Sequence, residues 1–529
     1  MNKSVLLAAA ISVALCAGAT RAADIVPINF DDPGEGYNDP TPAAPVGGNP
    51  GTTIGEQRQI VAQFAADLWV GVLVSDVPVY VGAQFNPLAP NVLGSAGATF
   101  IFRNFANAAV PDTWYSAALA EARSGVDLNW QYVDITSSFS SNFTFYYGLD
   151  GNTPAGQVNF LDVVMHEFGH GLGFQNFENE TTGAFSSGYA DIFSTFTYDN
   201  TTGKRWTEMT IAERQASALN YGNVVFDGAS ATAGAGLILG PRTTFRVTAP
   251  AAVAGDYANG FTQFGPAATP ANFGGTVVLG LDDLNVTGPS GTDGCTPLTN
   301  AAAVAGNIAL LDRGTCTIAV KTKNAQNAGA TGVIIANNAA QNPPPNFGGV
   351  DASIVIPTIV VTQANGVAFK ANLPIQVAYV VDPTKLQGAD NAGRPRLFMP
   401  NPVQGGSSGS HYDSNALPNL LMEPAINSTL LGALNIDITP NLLQDTGWTL
   451  NGGNAKINDC DTSIDVVNEA GIIVGANVQA TSNLCLASSA DKGAYQACME
   501  VYKDKLVASG LITGKQGGKM MACAAKILK

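Results

Sequence analysis

His166-Glu167-Phe168-Gly169-His170 decides the reading of this chain, because it sets two imidazoles and a carboxylate on one turn in a sequence with only three histidines. Residues four apart on a helix lie one above the other, so His166 and His170 can aim ring nitrogens at the same metal ion. Glu167 then stands beside that ion, where it can take a proton from an activated water. The preceding run Phe160-Leu161-Asp162-Val163-Val164-Met165 supplies the apolar side of a helix, with Asn159 as its N-cap and Gly171 and Gly173 available to end it. The pattern implies a hydrolase that uses Zn2+. Such a site takes three protein ligands and keeps one position open, and this helix supplies two.

The chain continues Gly171-Leu172-Gly173-Phe174-Gln175-Asn176, which resembles the extended metzincin motif, where a third ligand follows the glycine turn. Asn176 holds that slot, and a neutral amide competes poorly with imidazole for zinc. The one histidine left is His411, in Gly409-Ser410-His411-Tyr412-Asp413, and Met422 follows it in Leu420-Leu421-Met422-Glu423-Pro424. This arrangement resembles the leishmanolysin-like branch of the metzincins, in which an insertion separates the glycine turn from the third histidine and a methionine turn floors the site. Tyr412 and Asp413 match the aromatic and acidic residues that follow that histidine in the family. The resemblance covers about Ala23 to Trp448, apart from the insertion. It implies His166, His170 and His411 as metal ligands, Glu167 as the catalytic general base and Met422 as the structural methionine-turn residue. A gluzincin-like site with Glu178 or Glu180 as third ligand is the rival assignment.

The insertion carries its own signature: Gly294-Cys295, the run Ile308-Ala309-Leu310-Leu311-Asp312-Arg313-Gly314-Thr315-Cys316, a helical stretch from Val320 to Ala328, and strand-like Val333-Ile334-Ile335 and Ile354 to Val361. These segments resemble a protease-associated domain, a non-catalytic β-rich module that shapes substrate access or protein binding. Cys295 and Cys316 are expected to pair within it. The Gly/Ala/Asn-rich stretches Ala229 to Gly236 and Gly388 to Pro395 read as flexible tethers on either side.

A chain of 529 residues exceeds one core. The expected fold class is α+β, a metzincin-like zinc peptidase core interrupted by the β-rich module and followed by a small disulfide-containing helical domain. The expected boundaries are a signal peptide over 1–22, the first part of the core over 23–245, the insertion over 246–382, the second part over 383–450 and the helical domain over 451–529. Within the core, Gly55 to Trp69 and Thr113 to Ser124 read as helices, Val77 to Val81 and Ala98 to Phe105 as strands. Asn451-Gly452-Gly453-Asn454 reads as a linker and Lys492 to Ser509 as a tail helix.

Lys3, the apolar run Val5 to Leu15 and the small residues Ala17 to Ala22 read as a secretory signal, cleaved after Ala22 or Ala19. Leu15 is too large to precede a lipidated Cys16. Removing the signal leaves six cysteines, an even number without CxxC spacing, which favours disulfides in an oxidising compartment; the four in the tail allow three pairings. No later segment is apolar enough to span a membrane. The net charge of −16 excludes a nucleic-acid partner, and eight of the 25 Lys and Arg residues fall after Asn451, leaving the body more acidic still. The expected partners are protein or peptide substrates. Asp150-Gly151-Asn152 offers oxygens to Ca2+, but no EF-hand spacing supports a calcium site, and turn formation accounts for it. The alternative function is a catalytically inactive secreted protein that binds partners through its protease-associated module.

Overall fold

The structure, a computed structural model, describes residues 23–284, 288–426 and 429–527; the expected signal peptide, with Cys16, lies outside the described residues. Helix α1 (Ile54–Val72) opens on a reciprocal cap, the Thr53 hydroxyl accepting from the Glu56 N–H and the Glu56 carboxylate from the Thr53 N–H. Strands β1 (Ile25–Asn29), β2 (Val79–Asn86), β3 (Gly94–Ala98) and β4 (Ile135–Ser140) form a sheet in the order β1-β2-β4-β3. The first three in that order run parallel, and β3 lies antiparallel at the edge.

The strand expected over Ala98 to Phe105 is broken. The Thr99 N–H bonds to the Asp134 carbonyl, and Ile101–Phe102 pairs instead with Tyr115–Ser116. That pairing claims the start of the next expected helix, so α2 spans only Ala117–Ser124.

Helix α3 (Phe160–Leu172) is buried along its whole length. Its first turn is capped by the Asn159 side chain, which accepts from the Leu161 N–H at 3.0 Å, and Gly173 ends it at φ 125°, a conformation that favours glycine. Two indoles hold it in place, Trp69 donating to the Met165 carbonyl at 3.3 Å and Trp448 to that of Leu172 at 2.7 Å.

Ala229 to Gly236 is not a tether. It lies in helix α4 (Ala229–Ile238), as its alanines favour, and packs on the helix Thr439–Thr446. The Asp445 carboxylate accepts from the Ser230 and Ala231 N–H groups at 3.0 and 2.8 Å, neutralising the start of α4. Gly388 to Pro395 is likewise ordered, closed by an Arg394–Asp390 ion pair at 2.6 Å.

The insertion is a single eight-stranded sheet. Its strands are β5 (Pro241–Ala249), β6 (Gly255–Tyr257), β7 (Gly260–Phe261), β8 (Gly274–Leu279), β9 (Ile308–Asp312), β10 (Gly332–Ala336), β11 (Thr358–Val361) and β12 (Ile375–Leu386), in the order β6-β5-β12-β8-β9-β10-β11-β7. Alternation along β9 sends Ile308 and Leu310 to a core shared with Phe369 of helix α6 (Gln363–Ala371). Ala309 and Leu311 face the opposite core, with Ile318 and Ala325 of helix α5 (Ile318–Asn327). A sheet covered on both faces has continuously apolar central strands, which explains the unbroken apolar run in β9.

Of Ile354 to Val361, only Thr358–Val361 pairs, since Pro357 has no N–H to offer a ladder. The β5·β12 ladder pairs Pro241 with Leu386 and Arg242 with Asp382, so the sheet runs past both expected limits, Arg246 and Asp382. Cys295 and Cys316 are disulfide-bonded.

In the tail, the hairpin Asn454–Ile457/Cys460–Asp465 precedes helices α7 (Val474–Ser488), α8 (Lys492–Ala508) and α9 (Gly514–Ala524). Disulfides Cys460–Cys523 and Cys485–Cys498 join the hairpin to α9 and α7 to α8. The segment expected as a free linker is pinned: Asn451 donates its N–H to the Val72 carbonyl at 2.8 Å and its amide to that of Gly71 at 3.0 Å. Ala476 and Ala480 join the main core against α1. Among the described residues, no helix is long and apolar enough to cross a membrane.

The contact between α1 and α7 is close enough that a Cβ on Gly71 would stand 2.6 Å from that of Ala476. Gly71→Val is therefore expected to destabilise the protein by about 1–3 kcal/mol through overpacking. Urea unfolding checks this, and an unchanged midpoint would show that α7 does not bear on α1.

Candidate metal centre

The three histidines meet although His411 comes from a loop far along the chain. Their Nε2 atoms form a triangle with sides of 3.0 Å (His166–His170), 3.1 Å (His170–His411) and 3.2 Å (His166–His411). Each Nδ1 faces a backbone carbonyl: His166 the Leu421 oxygen at 2.6 Å, His170 that of Phe174 at 2.8 Å, His411 that of Ser407 at 2.9 Å. A carbonyl can only accept, so each ring carries its proton on Nδ1 and presents a bare lone pair at Nε2.

The short Nε2–Nε2 approaches are therefore not hydrogen bonds. Three lone pairs aimed at one point repel unless a cation lies between them. Tetrahedral zinc with Zn–N bonds of about 2.0–2.1 Å separates its nitrogens by roughly 3.3 Å, close to the triangle observed. Burial favours neutral rings as well, pushing His166 down to about 4 and, with the neighbouring His166, His170 to about 3; His411 is lowered well below its ordinary value by burial and the other two rings. Among the described residues, these three form the one His/Cys/Asp/Glu group arranged to hold a metal.

Glu167 follows His166 on α3 and is buried under edge strand β3. Burial raises its carboxyl to about 8, opposed by a hydrogen bond from the Ala96 backbone. A Cβ on Gly94 would stand 2.5 Å from Glu167 Oε1, so any larger residue there would require the carboxylate or the strand to shift.

Met422 is fully buried beneath the helix, and a Cβ on Gly169 would lie 2.8 Å from its sulfur. The neighbouring Leu421 supplies the carbonyl that orients His166. Its own N–H donates to Asp437 Oδ2 at 2.5 Å, and Asp437 is fully buried, its carboxyl raised to about 6 by desolvation. Sequence reading missed Asp437. No local pattern marks it, because its role rests on the Leu421 N–H that the fold brings to it.

The other sequence candidates fall elsewhere. Asn176 does not join the histidines; its Oδ1 accepts from the Ser410 hydroxyl at 3.0 Å, and its N–H donates to that hydroxyl at 3.2 Å, bracing the His411 loop. Glu178 is buried against Asp191, and neither glutamate of the rival assignment belongs to the histidine group. Tyr412 packs on Phe174 with ring centres 4.8 Å apart, and Asp413 accepts from the Tyr221 hydroxyl at 2.8 Å. Asp150 accepts from Tyr146 and Asn152, as a turn residue does.

The family description "PA domain" matches residues 274–369. The insertion contains a PA domain. An aminopeptidase of Pseudomonas aeruginosa is 35% identical over 133 residues, 24% of this chain and 24% of its own. The human ER degradation-enhancing alpha-mannosidase-like protein 3 is 54% identical over 44 residues, 8% of this chain and 5% of its own. Among solved structures, a zinc aminopeptidase from Bacillus subtilis is 21% identical with a TM-score of 0.19, covering 29% of this chain and 36% of that one. The chain thus spans about a quarter or less of the length of these curated relatives.

Two substitutions test the supports of the centre. Asp437→Ala removes the anchor of the Leu421 turn and is expected to weaken metal affinity about 10–100-fold, the range typical of outer-shell partners, as read by competition with a chromogenic chelator. Gly94→Ala leaves the histidines untouched but displaces Glu167. Metal content should stay at the parent level while turnover falls at least about tenfold; equal turnover would show that Glu167 tolerates the displacement.

Proposed function

We propose that this chain is a secreted zinc-dependent endopeptidase of the leishmanolysin-like metzincin type, with His166, His170 and His411 as metal ligands and Glu167 as general base. The observation that carries the reading is the convergence of three Nε2 lone pairs with their tautomers fixed by carbonyls, one residue from a buried glutamate on the same helix. His166, His170 and His411 would hold a zinc ion, which would supply Lewis acidity toward a scissile carbonyl and an attacking water. Glu167 takes the proton from that water and returns it to the leaving amine. Edge strand β3 beside Glu167 offers backbone groups to an extended peptide. Three disulfides among the described residues accord with an oxidising, extracellular setting.

The aminopeptidase relatives suggest a second reading, removal of single N-terminal residues. The matched lengths weigh against carrying that activity over: 133 residues in one relative and 44 in a mannosidase-like one are consistent with a shared module rather than a shared reaction centre. Peptides with acetylated N-termini separate the two. Internal cleavage of such a peptide, mapped by mass spectrometry, supports the endopeptidase; cleavage confined to peptides with free amines supports an aminopeptidase. Zinc binding without hydrolysis of casein, gelatin or either peptide set favours the inactive binding protein.

Three variants test the residue roles. Glu167→Gln should keep zinc and lose nearly all turnover, a fall of at least about 100-fold. His411→Ala should lose zinc, whereas Asn176→Ala should largely retain it. Full metal content in His411→Ala would remove that residue from the site.

A further inference from the structure

A cleft of about 980 Å³ lies where the PA-containing sheet meets the core, at the upper end of ligand-pocket sizes. Its charged lining is unusual for so acidic a protein: Arg242, Arg246, Lys385 and Arg396 face only two carboxylates, Asp256 and Asp382. Both carboxylates are already paired, Asp256 with Arg246 at 2.5 Å and Asp382 with Lys385 at 3.5 Å. Arg242 spends its guanidinium on the Leu386 and Ala389 carbonyls and the Asn391 amide oxygen, none of them anionic.

Arg396 has its Nε buried with no hydrogen-bond partner among the described residues. The buried Asp413 is attracted to Arg396, with its Oδ1 held by the Tyr221 hydroxyl and its Oδ2 without a hydrogen-bond partner among the described residues. Burial, and then repulsion from Arg396, lower the pKa of Arg242, opposed by weaker attraction from Asp382, Asp390 and Asp256. The first turn of α6, capped by Thr362, also opens into the cleft and adds the positive end of its dipole. β6, which contributes Asp256 and Tyr257 to the lining, is the terminal strand of its sheet.

We propose that this cleft binds an acidic peptide segment, its carboxylates received by Arg396 and Arg242 and its backbone laid along β6. The terminal strand favours a peptide over other anions, because an extended chain can satisfy that edge while its side chains reach the two guanidinium groups. Recruitment of substrates through this cleft rests on the peptidase reading; binding does not.

The test is calorimetry on the zinc-loaded full chain carrying Glu167→Gln, with acetylated, amidated hexaglutamate as the probe and hexaglutamine as control. Hexaglutamate should bind at about 50 mM salt and weaken at about 300 mM, where charges are screened within a few ångströms. Arg396→Gln should weaken it at least about tenfold, and hexaglutamine should bind at least tenfold more weakly than hexaglutamate. Should Arg396→Gln misfold, the double variant Arg246→Gln/Lys385→Gln, whose side chains are 43% and 41% exposed, should still reduce affinity severalfold. Equal binding of hexaglutamine, no binding of hexaglutamate at low salt, indifference to both variants, or tighter binding of a galacturonate trisaccharide would each overturn the assignment. Because Glu167→Gln removes the proposed base, the result stands apart from whether the parent cleaves peptides.

Discussion

The bond from each histidine Nδ1 to a backbone carbonyl is the constraint on which the rest of the centre depends. The three carbonyls come from different places: Phe174 in the glycine turn, Ser407 in the loop before His411, and Leu421 in the methionine turn. Each fixes one ring's tautomer and direction, and together they force three lone pairs to one point. That convergence is electrostatically unfavourable by itself, so the fold is poised for a cation before one arrives. The supporting groups then acquire a purpose. Asp437 holds Leu421, Ser410 ties the His411 loop to Asn176, and Gly169 lets Met422 rise against the helix.

The same geometry explains how a large insertion can interrupt such a site. β5 and β12 run antiparallel from Pro241 and Leu386, and the Gln387 N–H donates to the Gly240 carbonyl at 2.8 Å. The chain thus leaves and re-enters the core at neighbouring points, so closing the site across the insertion costs little beyond what the core alone would require. The two-sided sheet has cores of its own on both faces and meets the peptidase-like core at its neck and at the cleft.

Local signals were legible wherever the chemistry was local. The Asn159 cap, the helix carrying His166 and His170, and the glycine at its end follow from residues within a few positions of one another. Long-range placement was legible only where residue type was scarce: with three histidines in the chain, His411 had little competition. Tertiary pairing was not legible. Ala98 to Phe105 has strand composition, but Asp134 and Tyr115–Ser116 divide it, and no local pattern announces either partner. Ala229 to Gly236 looks like a tether by its glycines, yet its alanines favour a helix and Asp445, more than two hundred residues away, accepts from the Ser230 and Ala231 N–H groups at its start. Asp437 was invisible for a related reason, since its importance lies in one backbone N–H that only the folded chain brings to it.

The insertion and the centre are more closely joined than the sequence suggests. The segment after the neck runs through Arg396, Leu397 and Phe398 alongside His411 to Asp413. Leu397 bridges Tyr412, the Phe398 N–H donates to the His411 carbonyl at 2.8 Å, and the Asp413 N–H donates to that of Arg396 at 2.9 Å. Arg396 therefore faces the cleft at the PA-containing sheet while its backbone is bonded to the strand carrying the proposed third ligand. Leu397, Phe398 and Tyr412 are buried, so this short ladder is packed into the core beside His411. The insertion point thus sets a module with its own core beside the loop that carries the proposed third ligand.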